Sequence, residues 1–129
     1  MPELPEVQTV VNDLNAANLT GIPIIAARVY WPRTVAEPSP RLFCRRIKDQ
    51  KFTAIRRRGK YLVFDVADGH TMLLHLRMSG RLHLVSADTP RNKHEHVILG
   101  FDDGRQLRFH DTRKFGRLHL LKDPARILD

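Results

Sequence analysis

Cysteine occurs once in the 129 residues, at Cys44. One thiol excludes an intrachain disulfide and any multi-cysteine zinc site within the chain. No apolar run is long enough to span a bilayer, and the acidic N-terminus is unlike a signal peptide. A soluble cytoplasmic protein is the default these absences imply. Low-complexity stretches and clear internal repeats are missing too, and 42% hydrophobic content argues against general disorder. The chain therefore reads as one ordinary domain with a modest core. Lys and Arg are absent from the first 27 residues, whose only charges are Glu3, Glu6 and Asp13. The remainder holds all 22 basic residues against 11 of the 14 acids. A body this basic favours a polyanionic partner, most often nucleic acid.

Val7, Val10, Val11 and Leu14 recur at helical spacing and predict a helix from about Pro5 to Asn18. Pro5 suits its first turn, Glu3 and Glu6 complement the positive dipole end, and Gly21 and Pro23 end it. Ile24 to Trp31 reads as a strand, and residues 32–40 as a polar, Pro-rich connection. Ser39-Pro40 is an N-cap and first-turn pair for a short helix through Ile47, with Phe43, Cys44 and Ile47 inward. From Lys51 onward short strands alternate with tight turns at Asp68-Gly69, Ser79-Gly80 and Asp103-Gly104. The strands are expected at 51–58, 61–67, 71–77, 81–86, 94–101, 105–110 and 116–122. The fold class is mainly β with flanking α: an antiparallel β-sandwich of about eight strands and two helices.

Several strands alternate leucine or phenylalanine with histidine or arginine. Leu74 and Leu76 interleave with His75 and Arg77, Leu82 and Leu84 with Arg81 and His83. Leu107 and Phe109 interleave with Arg108 and His110, Leu118 and Leu120 with Arg117 and His119. Period-two burial sends the apolar set inward and the basic set to the opposite face. Ordinary solvated faces mix Glu, Lys, Thr and Gln, so a His/Arg face favours phosphate contact.

The first residues, Met1-Pro2-Glu3-Leu4-Pro5-Glu6, carry the reactive chemistry. Loss of the initiator Met leaves Pro2 with a free secondary amine, and an α-amino group titrates near ~8 against ~10.4 for lysine. Such an amine attacks carbonyl-level carbon to form a Schiff base. A secondary amine yields a charged iminium, an electron sink for elimination at the next carbon. Glu3 adjoins that nitrogen as a proton donor or shuttle. Alone, this stretch would equally open an ordinary helix. Further in, Arg56-Arg57-Arg58-Gly59-Lys60-Tyr61 sets a cation at a strand boundary. His75-Leu76-Arg77-Met78-Ser79-Gly80 places Met78 on a turn, and His110 to Gly116 places Phe115 between cations and a glycine. An exposed Met or Phe beside Arg suggests a wedge that enters a base stack when a nucleotide is flipped out. The alternative is that both fold back into the core. His94-x-His96 with Glu95 lacks a third spaced ligand, so no metal site is assigned.

Together these stretches closely resemble the formamidopyrimidine-DNA glycosylase and endonuclease VIII family. The matching pieces are P-E-L-P-E-V at 2–7, R-R-G-K-Y at 57–61, H-L-x-M-S-G at 75–80, K-H-x-H-V at 93–97 and D-x-R-x-F-G at 111–116. Leu4 and Met78 favour the formamidopyrimidine branch. The resemblance implies a bifunctional glycosylase and apurinic lyase that removes oxidised purines such as 8-oxoguanine from damaged double-stranded DNA. It implies Pro2 as nucleophile, Glu3 as proton donor and acceptor, and Lys60 as an aid to strand cleavage. It implies DNA binding by His94, Arg113 and His75, with Lys114 keeping the charge of a commoner Arg. Met78, Arg113 and Phe115 would fill the gap left by the flipped base, and Glu6 would support the active-site end of the helix. The departures are Gln8 for Glu, Thr112 for Pro, Lys114 for Arg and Arg77 for Gly. The resemblance covers only the family's N-terminal catalytic half, so the chain, 1–129, is expected to be a truncation that is weak or inactive alone, above all where Met1 stays on Pro2. The helix-two-turn-helix segment and the zinc finger, with the family's zinc, would lie in the missing half. No cofactor is expected in this chain, and self-association through the uncovered face is an open expectation.

Overall fold

The computed structural model describes residues 3–128, so Pro2 lies outside the described residues. Helix α1 (Leu4–Ala16) buries Val7, Val11 and Leu14, each side chain contributing on the order of 1.5–3 kcal/mol. Val10 is only partly covered. The helix stops short of the expected Asn18 because Asn18 adopts a left-handed conformation (φ 56°). Strand β1 (Ile24–Val29) leads through a 3-10 turn at Pro32–Thr34 into β2 (Val35–Glu37), a strand inside the connection that was expected to be irregular. Helix α2 (Pro40–Ile47) is capped as expected, Ser39 Oγ accepting from Leu42 N–H at 3.2 Å. Phe43 and Ile47 are fully buried, whereas Cys44 is half-buried at the margin of the core.

Seven strands follow: β3 (Phe52–Arg58), β4 (Tyr61–Val66), β5 (Thr71–His75), β6 (Gly80–Ser86), β7 (Glu95–Phe101), β8 (Arg105–Asp111) and β9 (Arg117–Leu121). A four-stranded sheet in the order β1-β7-β8-β6 faces a five-stranded sheet in the order β2-β9-β5-β4-β3. Their inner faces share one core, in which Phe52 meets the rings of Phe64 at 4.9 Å and Phe101 at 6.2 Å. The β-sandwich with flanking helices is thus as the periodicity implies, with nine strands in place of about eight.

All pairings are antiparallel except β2 with β9. The chain passes between the sheets three times, at β1–β2, β5–β6 and β8–β9. The registers Val29↔Val97, His75↔Arg117 and Gly80↔Asp111 put all three passages at one end of the sandwich. Strands β2 and β9 both start from that end, which is why they run parallel.

The expectation that the whole His/Arg set faces outward needs correction. Arg108 is buried, not presented to solvent (2% exposed). Residues 87–94 fold across the outer face of the four-stranded sheet, and their Thr89 and Pro90 carbonyls accept from Arg108 at 2.7 and 3.2 Å. Arg108 also pairs with buried Glu95 at 3.2 Å and donates to Gln106 Oε1. On the other sheet, Val63, Leu73 and Leu121 form a small outer cluster against Ile127 and Leu128 of a short terminal helix, α3 (Ala125–Leu128). That patch is apolar where the helix covers it. Period-two alternation assumes a wet outer face, and both sheets depart from it.

Candidate active site and nucleic-acid interface

The crowded end of the sandwich collects the residues singled out above. Helix α1 lies along β3: Asn15 Nδ2 donates to the Ile55 carbonyl at 3.0 Å, and Arg57 Nε donates to Gln8 Oε1 at 3.0 Å. The helix thus runs opposite to β3, and its N-terminus points toward the Gly59-Lys60 turn. Glu3 is the exposed N-cap, its carbonyl accepting from Val7 N–H at 3.0 Å, and Glu6 is exposed in the first turn. A hollow of about 180 Å³ places Glu6 beside Leu76 and Gly80, which flank the turn that carries Met78. Lys60 is half-buried, next to the Tyr61↔His75 pair.

His75 is half-buried, edge-on to the Tyr61 ring at 5.0 Å, and its Nδ1 accepts from Arg77 N–H at 3.0 Å. That bond selects the neutral tautomer with the proton on Nε2. Burial, then the charges of Arg77 and Lys60, hold its pKa below the ordinary imidazole range. His94 is half-buried, edge-on to His110 at 5.6 Å, and its N–H donates to Asn92 Oδ1 at 2.8 Å. His96 does not share its face as a metal ligand: it is buried, with Nε2 at 2.7 Å from the Asp111 carbonyl. Among the described residues no group of three His, Cys, Asp or Glu side chains is disposed to hold a metal ion.

Met78 and Phe115 do not fold into the core; they are 48% and 46% exposed. With Arg77 and Arg117 they line an open hollow of about 380 Å³. Arg113 lies over the Phe115 ring at 5.5 Å and Lys114 over Trp31 at 4.0 Å, both exposed. Arg77 and Lys114 adopt left-handed backbone (φ 57° and 61°), as tight reversals require.

The two loops are held by Asp111, fully buried at the end of β8. Its Oδ1 accepts a short bond from Ser79 Oγ and one from Arg113 N–H at 3.2 Å, and its Oδ2 accepts from Gly116 N–H at 2.7 Å. Its own N–H donates to the His94 carbonyl at 2.9 Å. One carboxylate therefore fastens the Met78 turn and the Arg113–Phe115 loop, and the backbone of the same residue ties in the His94 segment. Gly80 and Gly116 both pack on Phe109, and a Cβ at either would overlap its ring.

The sequence matches the formamidopyrimidine-DNA glycosylase N-terminal domain model over residues 1–118. This chain belongs to the formamidopyrimidine-DNA glycosylase family. It is 44% identical over 128 residues to the enzyme of Protochlamydia amoebophila, covering 99% of this chain and 46% of that protein. The Bacillus subtilis enzyme is 43% identical over 123 residues, covering 95% and 44%. The Lactococcus lactis enzyme in complex with abasic-site DNA superposes with a TM-score of 0.90 at 36% identity, over 97% of this chain and 46% of that one. The same enzyme with formamidopyrimidine-containing DNA gives a TM-score of 0.89. The chain spans about half the length of these relatives.

Within this glycosylase family domain, Asp111 and Ser79 were not assigned roles from sequence, although both stand inside the matched motifs. The available signal was an acid among basic residues at Asp111 and a serine beside a glycine at Ser79. Tyr30, Trp31 and Arg91 lie outside every motif. Gln8, where the resemblance has a commoner Glu, accepts from Arg57 and ties the helix to the strand.

Proposed function

We propose that this domain is the catalytic half of a DNA glycosylase with apurinic lyase activity, acting in base excision repair on oxidised purines in duplex DNA. One observation carries the reading: in a chain of this family, the start of α1, the Lys60 turn and two exposed apolar tips stand at the same end. Met78 and Phe115, 48% and 46% exposed on loops anchored to a buried carboxylate, supply the wedge. Arg113 between them faces the base left without a partner.

In this mechanism the free amine of Pro2 attacks the anomeric carbon of the damaged nucleoside, the carbon–base bond breaks and the amine gives up its proton; the C1′–O4′ bond then breaks to open the sugar ring, with Glu3 passing a proton to O4′. The resulting iminium acidifies the neighbouring C2′ position. Loss of that proton expels the 3′-phosphate, and the Lys60 ammonium holds the phosphate as charge builds on it. Glu6 steadies the start of the helix, while His94, His75 and Lys114 hold the backbone. A repair role of this kind fits a bacterial cytoplasmic, nucleoid-associated protein. Because affinity follows the number of phosphates neutralised, the half-length chain should bind DNA more weakly than a full-length relative.

Borohydride trapping tests the reading. Incubation with a duplex containing an abasic or 8-oxoguanine site, followed by reduction, should give a covalent protein–DNA adduct that Pro2→Gly abolishes. Binding without any adduct would instead identify a basic β-domain that only holds DNA.

A further inference from the structure

The first passage between the sheets, residues 30–34, stands at the same end as the two wedge loops. It carries Tyr30, 43% exposed, and half-buried Trp31. Both of their N–H groups point at the His96 carbonyl, at 2.7 and 3.4 Å, and His96 in turn touches the Asp111 carbonyl. The aromatic pair is thus built onto the same scaffold that anchors the wedge. Each ring holds a cation: Arg91 lies 3.6 Å over Tyr30, and Lys114 lies 4.0 Å over Trp31. Arg91 is fixed a second time, donating from Nε and Nη2 to the Glu95 carbonyl at 3.2 and 2.9 Å. Asp88, the acid nearest Arg91 in sequence, accepts from Ser86 Oγ at 2.6 Å, and Glu95 and Asp111 are buried and engaged within the fold. Neither partner of Arg91 is anionic, so its charge is oriented but not neutralised.

We propose that Tyr30–Arg91, continuing through Trp31–Lys114 to the wedge, is a phosphate-binding ridge for intact duplex to one side of the lesion. The assignment rests on the reading that the wedge end binds duplex DNA, and extends it to Tyr30, Trp31 and Arg91, which lie outside every matched motif. A ring under a guanidinium removes rotamer freedom before binding, so the contact costs less ordering entropy than a free surface arginine would. The phosphodiester backbone is the partner because two preset cations with no sequence-reading group between them match repeated phosphates.

The test is fluorescence anisotropy of the whole chain with a duplex centred on a tetrahydrofuran abasic analogue, from 50 to 200 mM salt. One lost phosphate contact lowers the log–log salt slope by about 0.9, so the native advantage over Arg91→Gln should shrink about 3.5-fold across this range. Arg91→Lys should restore the slope, and Tyr30→Leu should weaken binding while leaving the slope native. On two duplexes, each trimmed on one side of the lesion, Arg91→Gln and the native chain should converge on one and differ on the other. Native binding with an unchanged affinity and slope for Arg91→Gln would overturn the ridge and leave the proposed function standing. A difference that persists on both trimmed duplexes would also overturn it, by placing Arg91 at the lesion itself. Failure of the native chain to bind either full-length or trimmed duplex would remove the proposed function, and the ridge with it.

Discussion

Replacing Asp111 by Asn should loosen the wedge without changing its apolar tips. The carboxylate accepts from Ser79 Oγ, Arg113 N–H and Gly116 N–H in a site closed to solvent. An amide of the same shape has one acceptor oxygen, so one orientation sets its NH2 against Gly116 N–H. The other orientation deprives the Ser79 hydroxyl of its acceptor. Either way at least one charge-assisted bond is lost, worth roughly 1.5–3 kcal/mol. For a domain of this size about 2 kcal/mol lowers Tm by about 6–10 °C. The loops must then be re-ordered on binding, and fixing even one residue costs about 1–2 kcal/mol, close to tenfold in affinity for abasic DNA. Calorimetric melting and anisotropy titration measure the two effects. Leu99→Ala, in the core of β7 away from the loops, should destabilise by about 2–5 kcal/mol yet leave the affinity of the folded protein unchanged. A native Tm and affinity for Asp111→Asn would refute the reasoning. So would an equal loss of affinity in Leu99→Ala.

Other outcomes follow from the same structure. Arg108→Met strands Glu95 as a buried carboxylate, 6% exposed, and should cost about 3–5 kcal/mol in urea unfolding; a loss under 1 kcal/mol would show that the pair is dispensable. Burial is the first cause holding the pKa values of His75, His110 and His119 below the ordinary imidazole value. The unfolded chain therefore binds more protons, so stability should be full above about pH 6.5 and fall as pH drops below it. A Tm that is flat from pH 7.5 to 5 would contradict this. Arg77→Gly relieves a left-handed non-glycine residue (φ 57°) beside the wedge and should stabilise the fold by up to about 1 kcal/mol in the same unfolding assay. A clear loss of stability would mean that the Arg77 side chain does more than occupy the turn.

Much of the architecture was legible in the order of residues. The Val7, Val11, Leu14 face of α1 and the Ser39 cap of α2 rest on local chemistry that neighbours in sequence decide. Most strand boundaries fell within two residues for the same reason. Strand β2 was not legible, because its pairing with β9 depends on residues some 80 positions away and its own composition is that of a loop. Arg108 was misread because alternation reports two faces but not what later covers them; here residues 87–94 do. The site was legible where motifs placed charged or apolar residues on turns, as at Lys60, Met78 and Phe115. Asp111 was within a matched motif, but its function as an anchor shows only when the two loops are brought together.

The sequence by itself determined most of the elements, the basic character of the body and the family, since all three depend on local patterning or on motifs in a given order. Tertiary structure alone decided that residues 30–34, 76–79 and 112–116 meet at one end, because antiparallel registers such as His75↔Arg117 and Gly80↔Asp111 are contacts between distant segments. It also decided that Met78 and Phe115 stay outside the core. Phe109 already fills the space beneath Gly80 and Gly116, and the closed ends of the two loops leave both tips facing solvent.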